Sequence, residues 1–147
     1  MIPRPLVRGS LALALGLSSV SRASAQDPCL LTLTEARELG GSEITQAAGD
    51  GRRCSYVVKG GETRIAIDVG GVDSPAAQTR LEELGDASRY DSRQKGKVTY
   101  WLSRADELAG WVRRGERLAE VRSDGEASAK RRRLLEHALQ RVGERLR

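Results

Sequence analysis

The stretch Cys54-Ser-Tyr-Val-Val-Lys-Gly-Gly-Glu-Thr-Arg-Ile-Ala-Ile-Asp-Val69 decides the fold, because it encodes two β-strands joined by a short turn. Ile65, Ile67 and Val69 alternate with other residues, which is the period of a strand with one buried face. Lys59-Gly-Gly-Glu62 supplies the hairpin turn. The residues predicted to share the buried face are Cys54, Tyr56, Val58, Ile65 and Ile67.

Three later runs also have the composition of strands. They are Val98–Leu102, Leu108–Arg113 and Arg117–Arg122, and Arg114-Gly-Glu116 provides a turn between the last two. The intervening polar segment, residues 86–97, is predicted to be a loop. Together with the first hairpin, these runs predict an antiparallel sheet of about five strands.

Helices are predicted at three places along the chain. Thr32 and Glu35 form a capping box before a short helix that ends at Gly40. Ser74 and Pro75 begin a second helix, and residues 128–147 form a third with one apolar face. Strands mixed with helices in this way define an α+β fold. We expect the helices to pack on one face of the sheet and leave the other partly open.

The first 25 residues predict a cleaved secretory signal peptide. A positively charged start precedes the apolar run Leu11–Leu17, and Ala23-Ser-Ala25 is a site of the kind that signal peptidase cuts. The run is shorter than the roughly 20 residues that span a bilayer. A buried N-terminal helix and an uncleaved anchor are the alternatives. We therefore expect 26–147 to form a single α+β domain that is periplasmic or secreted.

Charge is unevenly distributed in the predicted mature chain. The whole chain carries a formal charge of +5, and removing Arg4, Arg8 and Arg22 with the signal leaves +2. Residues 128–147 alone carry seven Lys or Arg and two Glu. A mildly acidic body therefore carries a basic C-terminal helix.

Cys29 and Cys54 are the only cysteines, and an even count in an exported chain predicts a disulfide. In the chain-entropy model, a loop of this length is worth about 3.5 kcal/mol. A redox-active pair is not favoured, because such cysteines usually lie two residues apart. Two cysteines and one distant histidine are too few ligands for a zinc site. We expect no metal and no cofactor.

Several short motifs are shared with a known group of proteins. Cys29, Leu31-Thr-Leu-Thr-Glu-Ala36, Leu39-Gly40 and Cys54-Ser-Tyr56 follow one another in the first third of the mature chain. This pattern resembles small secreted bacterial proteins and lipoproteins assigned to domains of unknown function. Tyr100-Trp101 and Trp111–Gly115 are similar to that family's last hairpin, and the helix after it also fits.

One feature of the lipoprotein members is missing. Gln26-Asp27-Pro28 precedes Cys29, in place of the small and apolar residues of a lipid-attachment signal. The resemblance therefore implies a fold and a compartment without a lipid anchor, and it carries over no catalytic residue.

The two tryptophans are the first candidates for contact with a partner. Tyr100 and Trp101 are adjacent in a strand, so their side chains must point to opposite faces of the sheet. One interpretation is that either Trp101 or Trp111 is exposed and anchors a partner. The alternative, which we favour, is that both fill the core in place of phenylalanine, which the chain lacks.

The basic run Lys130-Arg131-Arg132-Arg133 is the second candidate. Such a helix can lie on an anionic surface, although we favour an interpretation in which the arginines only solubilise the helix rim. Export makes nucleic acid an improbable partner. His137, the only histidine, is predicted to be a solvated residue of the same helix.

These observations predict an exported, non-enzymatic binding module for a protein or an envelope component that the sequence does not identify. One alternative is an inhibitor-like protein that docks on an exported enzyme through the Trp101 and Trp111 hairpins. Binding of the basic helix to a membrane surface is a less favoured alternative. An enzyme assembled from scattered residues is the least favoured, because no set of catalytic residues is recognisable.

Overall fold

A computed structural model describes residues 29–147, so the predicted signal peptide, residues 1–25, lies outside the described residues. The described chain forms one antiparallel sheet of seven strands with three helices. The strand order is β1-β2-β3-β7-β6-β5-β4. The elements are α1 (Leu33–Gly40), β1 (Ile44–Gly49), β2 (Arg53–Val58), β3 (Thr63–Gly71), α2 (Pro75–Leu84), β4 (Tyr90–Lys95), β5 (Val98–Ser103), β6 (Leu108–Arg114), β7 (Arg117–Ser123) and α3 (Ala129–Arg145).

The prediction of about five strands is wrong, because the sheet has seven. The five predicted strands are all present as β2, β3, β5, β6 and β7. The two additional strands are the sheet edges: β1, and β4, which lies inside the predicted loop 86–97. Each edge strand buries a single residue, Ile44 in β1 and Tyr90 in β4. Neither strand therefore has the alternating apolar pattern by which a half-buried strand is recognised.

The main core lies between one face of the sheet, here called the first face, and helices α1 and α3. The predicted buried residues of the first hairpin all contribute to it. Leu135, Leu139 and Val142 from α3, and Ala36 and Leu39 from α1, are buried against them. The alternation along β2 and β3 thus directs the chain's most regular apolar stripe toward these two helices.

The expectation that the helices share one face is also wrong, because α2 packs on the opposite face, here called the second face. Ala77 and Leu84 of α2 join a separate buried cluster with Trp111 and Leu118. These strand residues alternate with first-face residues such as Val112, so their side chains point the other way. A large apolar side chain such as Trp111 is stable there only when it is covered, and α2 provides the cover.

Two glycines allow α3 to lie close to the sheet. A Cβ atom at Gly110 in β6 would overlap the Cδ1 atom of Leu139. A Cβ atom at Gly143 would lie 3.0 Å from the Tyr100 hydroxyl and from a methyl group of Val112. These contacts place the axis of α3 near β6 rather than over the edge strand β4.

The predicted disulfide between Cys29 and Cys54 is present, with a Cα–Cα distance of 5.2 Å. The Tyr56 hydroxyl reinforces this connection. It accepts a hydrogen bond from the Leu31 N–H at 3.1 Å and lies 2.7 Å and 2.6 Å from the carbonyl oxygens of Cys29 and Leu31. The disulfide indicates an oxidising compartment outside the cytoplasm. Among residues 29–147, no helix is long and apolar enough to cross a membrane.

The capping box of α1 is confirmed and also serves the contact between helices. Glu35 accepts a hydrogen bond from the Thr32 N–H at 3.0 Å, and Arg145 of α3 pairs with the same carboxylate at 2.6 Å. Burial raises the pKa of Glu35, but the hydrogen bonds from Arg145 and Thr32 outweigh it, so the pKa lies below its usual value. Glu35 is therefore a charged link between α1 and α3.

The two halves of the sheet meet where β3 pairs with β7. The register runs from Ile65 opposite Ser123 to Gly71 opposite Arg117. β1, β2 and β3 come from the first half of the described chain, whereas β4 to β7 come from the second half. The centre of the sheet is therefore built from residues that are far apart in sequence.

Candidate functional site

Trp111, one of the two predicted partner anchors, is buried on the second face and has only 1% of its surface exposed. Tyr90 contacts it edge to face, with ring centroids 5.3 Å apart. The guanidinium groups of Arg80 and Arg122 lie 5.2 Å and 5.6 Å from its ring centroid. Trp111 is therefore enclosed by its own chain and is not available to a partner.

Glu120 provides the polar partner that a buried indole requires. The Trp111 N–H donates to its carboxylate at 2.9 Å, and Arg122 donates to the other carboxylate oxygen. Burial raises the pKa of Glu120, but the bonds from Arg122 and Trp111 outweigh it, and the pKa lies below its usual value. A carboxylate held in its ionised form in this way is suited to structure rather than to proton transfer.

Trp101 lies opposite Trp111 in the register of β5 and β6 and is half-buried against the same cluster. Tyr100 packs against the main core on the first face, so the prediction that Tyr100 and Trp101 point to opposite faces is confirmed. Only the outer part of Trp101 reaches the surface. The two tryptophans therefore do not form an exposed pair.

Two of the four basic residues at the start of α3 bond to their own chain, and the other two are exposed. Arg131 donates to the carbonyl of Asp124 at 2.9 Å and to the Ser123 hydroxyl at 3.2 Å, and Arg132 donates to the carbonyl of Ala105 at 2.7 Å. These two side chains fasten α3 to the ends of β7 and β5. Lys130 and Arg133 are exposed on the outer side of the helix.

His137 is exposed on α3, as predicted. Arg141, one turn further on, pairs with Glu38 at 2.7 Å and with Glu35 at 3.2 Å. Its charge is therefore directed toward α1. Lys130, Arg133 and His137 remain as the outward basic residues of α3, a narrower patch than the sequence indicates.

A shallow cleft of about 300 Å³ lies between α2 and strands β3 and β7 on the second face. Asp68, Ser74, Arg80 and Glu120 are its polar lining. His137 belongs to α3 on the other face, so the chain's histidine cannot join this group. Among residues 29–147, no group of three or more His, Cys, Asp or Glu side chains is arranged to hold a metal ion.

The outer edge of β1 presents backbone groups that the sheet does not use. The Asp50 N–H donates to the carbonyl of Arg53 at 3.0 Å, so these two residues form a hydrogen-bonded pair. Such pairs alternate with non-bonded pairs along antiparallel strands. Ala48 therefore bonds to β2, whereas the N–H and C=O groups of Ala47 and Gly49 point away from the sheet.

The opposite edge of the sheet is organised in the same way but is chemically different. The Arg104 N–H donates to the carbonyl of Arg89 at 2.9 Å, so by the same alternation Tyr90, Ser92 and Gln94 direct their backbone groups outward. The side chains between them, Asp91, Arg93 and Lys95, are charged. Charges of this kind discourage other strands from pairing with an edge.

No such charge protects β1. Its sequence, Ile-Thr-Gln-Ala-Ala-Gly, contains neither a charged residue nor proline. A bulge at Thr45 interrupts the register at one end, and the pairing is regular from Gln46 to Gly49. Beside this strand the second face is open, because Ala48, Ser55 and Ala66 lie side by side across β1, β2 and β3. The least protected edge of the sheet thus adjoins a row of small side chains.

No protein-family model matches this chain, and no curated protein is significantly similar to it in sequence.

β1 is the feature that sequence reasoning missed most completely. Its only sequence signal is the turn Asp50-Gly-Arg-Arg53, which immediately precedes the recognised strand β2 and could have indicated a preceding hairpin partner.

Proposed function

We propose that the mature chain is an exported, non-enzymatic binding module that takes up an extended segment of a partner protein along the edge of β1. The periplasm or the cell exterior is the proposed compartment, on the basis of the predicted signal peptide and the disulfide between Cys29 and Cys54. Strand addition at an open sheet edge is a common mode of peptide recognition, in which backbone hydrogen bonds supply much of the affinity.

The contrast between the two sheet edges is the observation that carries this proposal. β4 carries charged side chains, whereas β1 is uncharged and free of proline. Proteins commonly protect an edge strand with charges, proline or bulges, and the single bulge at Thr45 leaves the following four residues of β1 regular. Ala47 and Gly49 offer the outward N–H and C=O groups that an added strand would pair with.

The surroundings of β1 favour a segment with small or apolar side chains at alternate positions. A partner residue opposite Ala48 would point toward the open second face and lie beside that alanine. Ala48, Ser55 and Ala66 leave room for such a side chain and present no charge to it. We expect a partner segment of about four to six residues, which matches the regular part of β1 and lies within the usual range of strand lengths.

The two alternatives from the sequence receive less support. An inhibitor that docks through Trp101 and Trp111 lacks its main anchor, because Trp111 is covered by α2. Binding of α3 to an anionic surface is less favoured, because Arg131 and Arg132 bond to backbone carbonyls of their own chain and do not face outward.

A pair of proline substitutions tests the proposal. Ala47→Pro removes an outward N–H group without removing a bond to β2, so the domain is expected to fold. Ser92→Pro is the matched control, because it removes an outward N–H group from the charged edge, β4. Oxidised mature domain and both variants would be used as baits in the native envelope fraction, followed by hydrogen exchange on the purified complex.

The expected result is a partner that binds the wild type and Ser92→Pro but not Ala47→Pro. Binding should also slow hydrogen exchange at the amides of Ala47 and Gly49. Equal binding by both variants, binding without protection of these two amides, or the absence of any bound envelope protein would each contradict the proposal.

A further inference from the structure

A cavity lies on the first face, at the opposite side of the sheet from β1. α3 runs over β6, and the sheet continues beyond it through β5 and β4. A cavity of about 260 Å³ remains between α3 and these two strands. Its volume is just below the usual range for ligand pockets, which begins at about 300 Å³.

The floor of this cavity is apolar. Its open surface is formed by Tyr100 and Leu102, and Leu139 of α3 lies behind them. Tyr100 and Leu102 are packed against the main core but remain partly exposed, whereas Leu139 is fully buried from solvent. Burial and the negative charge of Glu144 both raise the pKa of Tyr100, so its hydroxyl stays neutral at ordinary pH. Apolar surface left open in a concave site favours an apolar ligand group.

The rim of the cavity carries a positive charge that its neighbours do not balance. Arg93 of β4 pairs with Glu136 of α3 across one side of the opening, and Asp91 pairs with Arg104 at 3.8 Å. Lys95 also lines the cavity and forms no ion pair with any residue from 29 to 147. One cationic group is therefore left at the mouth, next to an apolar interior.

We propose that this cavity binds a small amphipathic carboxylate, with its apolar body on Tyr100 and Leu102 above the buried Leu139 and its carboxylate on Lys95. Arg93 lies two residues from Lys95 on the same side of β4, but Glu136 balances its charge, so Lys95 is the group that would hold the carboxylate. A cationic ligand of the same shape would be repelled by Lys95. An anion without an apolar body would leave the floor uncovered and gain only a solvent-exposed ion pair, which contributes little to affinity.

Octanoate, octylamine and acetate separate the two parts of the proposal. Each would be titrated into the oxidised mature domain while NMR signals of backbone amides and leucine methyl groups are followed. Octanoate is expected to shift the methyl signals of Leu102 and Leu139 and the amide of Lys95 in a saturable manner. Octylamine tests the charge and acetate tests the apolar body, and both are expected to bind more weakly than octanoate.

Two charge reversals provide matched variants. Lys95→Glu places a negative charge at the cavity mouth and is expected to weaken octanoate binding about fivefold. Lys97→Glu makes the same change two residues away, in a turn outside the cavity, and is expected to change binding by less than about twofold. Both lysines are exposed, so neither variant should impair folding.

Three results would overturn the proposal. These are equal affinity for octanoate and octylamine, octanoate-induced shifts that avoid Leu102 and Leu139, and equal weakening by the two charge reversals. An octanoate titration without saturable shifts would do the same. None of these readouts involves β1, so the outcome is independent of the function proposed above.

Discussion

Trp111 and Glu120 lie opposite each other on β6 and β7, and the indole N–H donates to the carboxylate at 2.9 Å beneath helix α2. Arg122 bonds to the same carboxylate from the neighbouring position on β7. The second face thus contains a buried aromatic side chain whose single polar atom is satisfied by an ionised group. This pair links the stability of the second face to pH.

Glu120→Gln is expected to destabilise the domain by about 1 kcal/mol at pH 7. The glutamine can still accept from Trp111, but the charge that faces Arg122 is lost, and charge-assisted bonds are about twice as strong as neutral ones. Urea denaturation of both proteins measures the difference. Glu82→Gln, on the exposed side of α2, is the control and should change stability by less than about 0.5 kcal/mol.

The same residue is expected to contribute to acid sensitivity. The pKa of Glu120 is lower in the folded chain than its ordinary value of 4.5, so the unfolded chain binds the proton more readily. Its contribution is therefore complete above about pH 4.5 and is lost as the pH falls through the lower, folded pKa. Denaturation curves between pH 7 and pH 3 should show a smaller acid-induced loss in Glu120→Gln. Parallel curves would contradict this assignment.

Tyr56→Phe is expected to cost about 1–3 kcal/mol of stability. The change removes the buried hydroxyl that accepts from the Leu31 N–H and lies within hydrogen-bond distance of the carbonyl oxygens of Cys29 and Leu31. The Leu31 N–H keeps its bond to the Cys29 carbonyl, so the cost comes from the lost hydroxyl bonds. Tyr90→Phe is a matched control, because no hydrogen bond of the Tyr90 hydroxyl is found within residues 29–147. Thermal unfolding of the two variants should give a clearly lower Tm only for Tyr56→Phe.

Gly110→Ala is expected to destabilise the domain by about 1–3 kcal/mol, which is typical of overpacking in a core. The added Cβ atom would overlap Leu139 Cδ1 and lie 3.1 Å from the Trp101 carbonyl oxygen, so either the Leu139 side chain or α3 itself must shift. Gly70→Ala provides the comparison, since a Cβ atom there has no neighbour within 4 Å. Similar unfolding free energies for the two variants would show that α3 does not depend on this close approach.

Arg131→Ala is expected to destabilise the domain more than Arg133→Ala, although the two residues are only two positions apart. Arg131 bonds to the Asp124 carbonyl and the Ser123 hydroxyl, so its loss should cost about 1–2 kcal/mol. Arg133 is exposed on the outer side of α3, and its loss should cost less than about 0.5 kcal/mol. Guanidinium denaturation of both variants tests this assignment, and equal effects would refute it.

The parts of the fold that were predictable from sequence are those with strong local signals. The capping box at Thr32 and the N-cap Ser74 with Pro75 marked two helix starts that the structure confirms. The alternation through Ile65 and Ile67 gave the buried face of the first hairpin. In each case, a few neighbouring residues determine the backbone or the direction of burial.

The edge strands were not predictable by the same reasoning. β4 exposes every residue after Tyr90, and β1 exposes most of its length, so neither has a periodic apolar pattern. Their positions are set by pairing with β5 and β2, which is a tertiary effect. The candidate site was missed for the same reason, since it depends on the outward backbone groups of β1.

The local sequence pattern also did not indicate on which face of the sheet α2 lies. Its apolar residues Ala77, Leu81 and Leu84 were recognised, but they do not indicate which side of the sheet they cover. That side is determined by Trp111, whose orientation depends on the register between β6 and β7. The adjacent arginines of α3 were likewise indistinguishable in sequence, because the carbonyls they bond to belong to distant segments.

The pairing of β3 with β7 has a consequence for the order in which the chain acquires its structure. Ile65 pairs with Ser123, so β3 lacks one of its two neighbours until β7 has been synthesised. Distant pairings of this kind slow folding, and a strand that waits with an unpaired edge is prone to aggregation. The pairing of β3 with β7 is therefore the expected rate-limiting step of folding. Until β7 pairs with it, the unpaired edge of β3 escapes aggregation only if β7 is synthesised quickly or if a chaperone covers that edge.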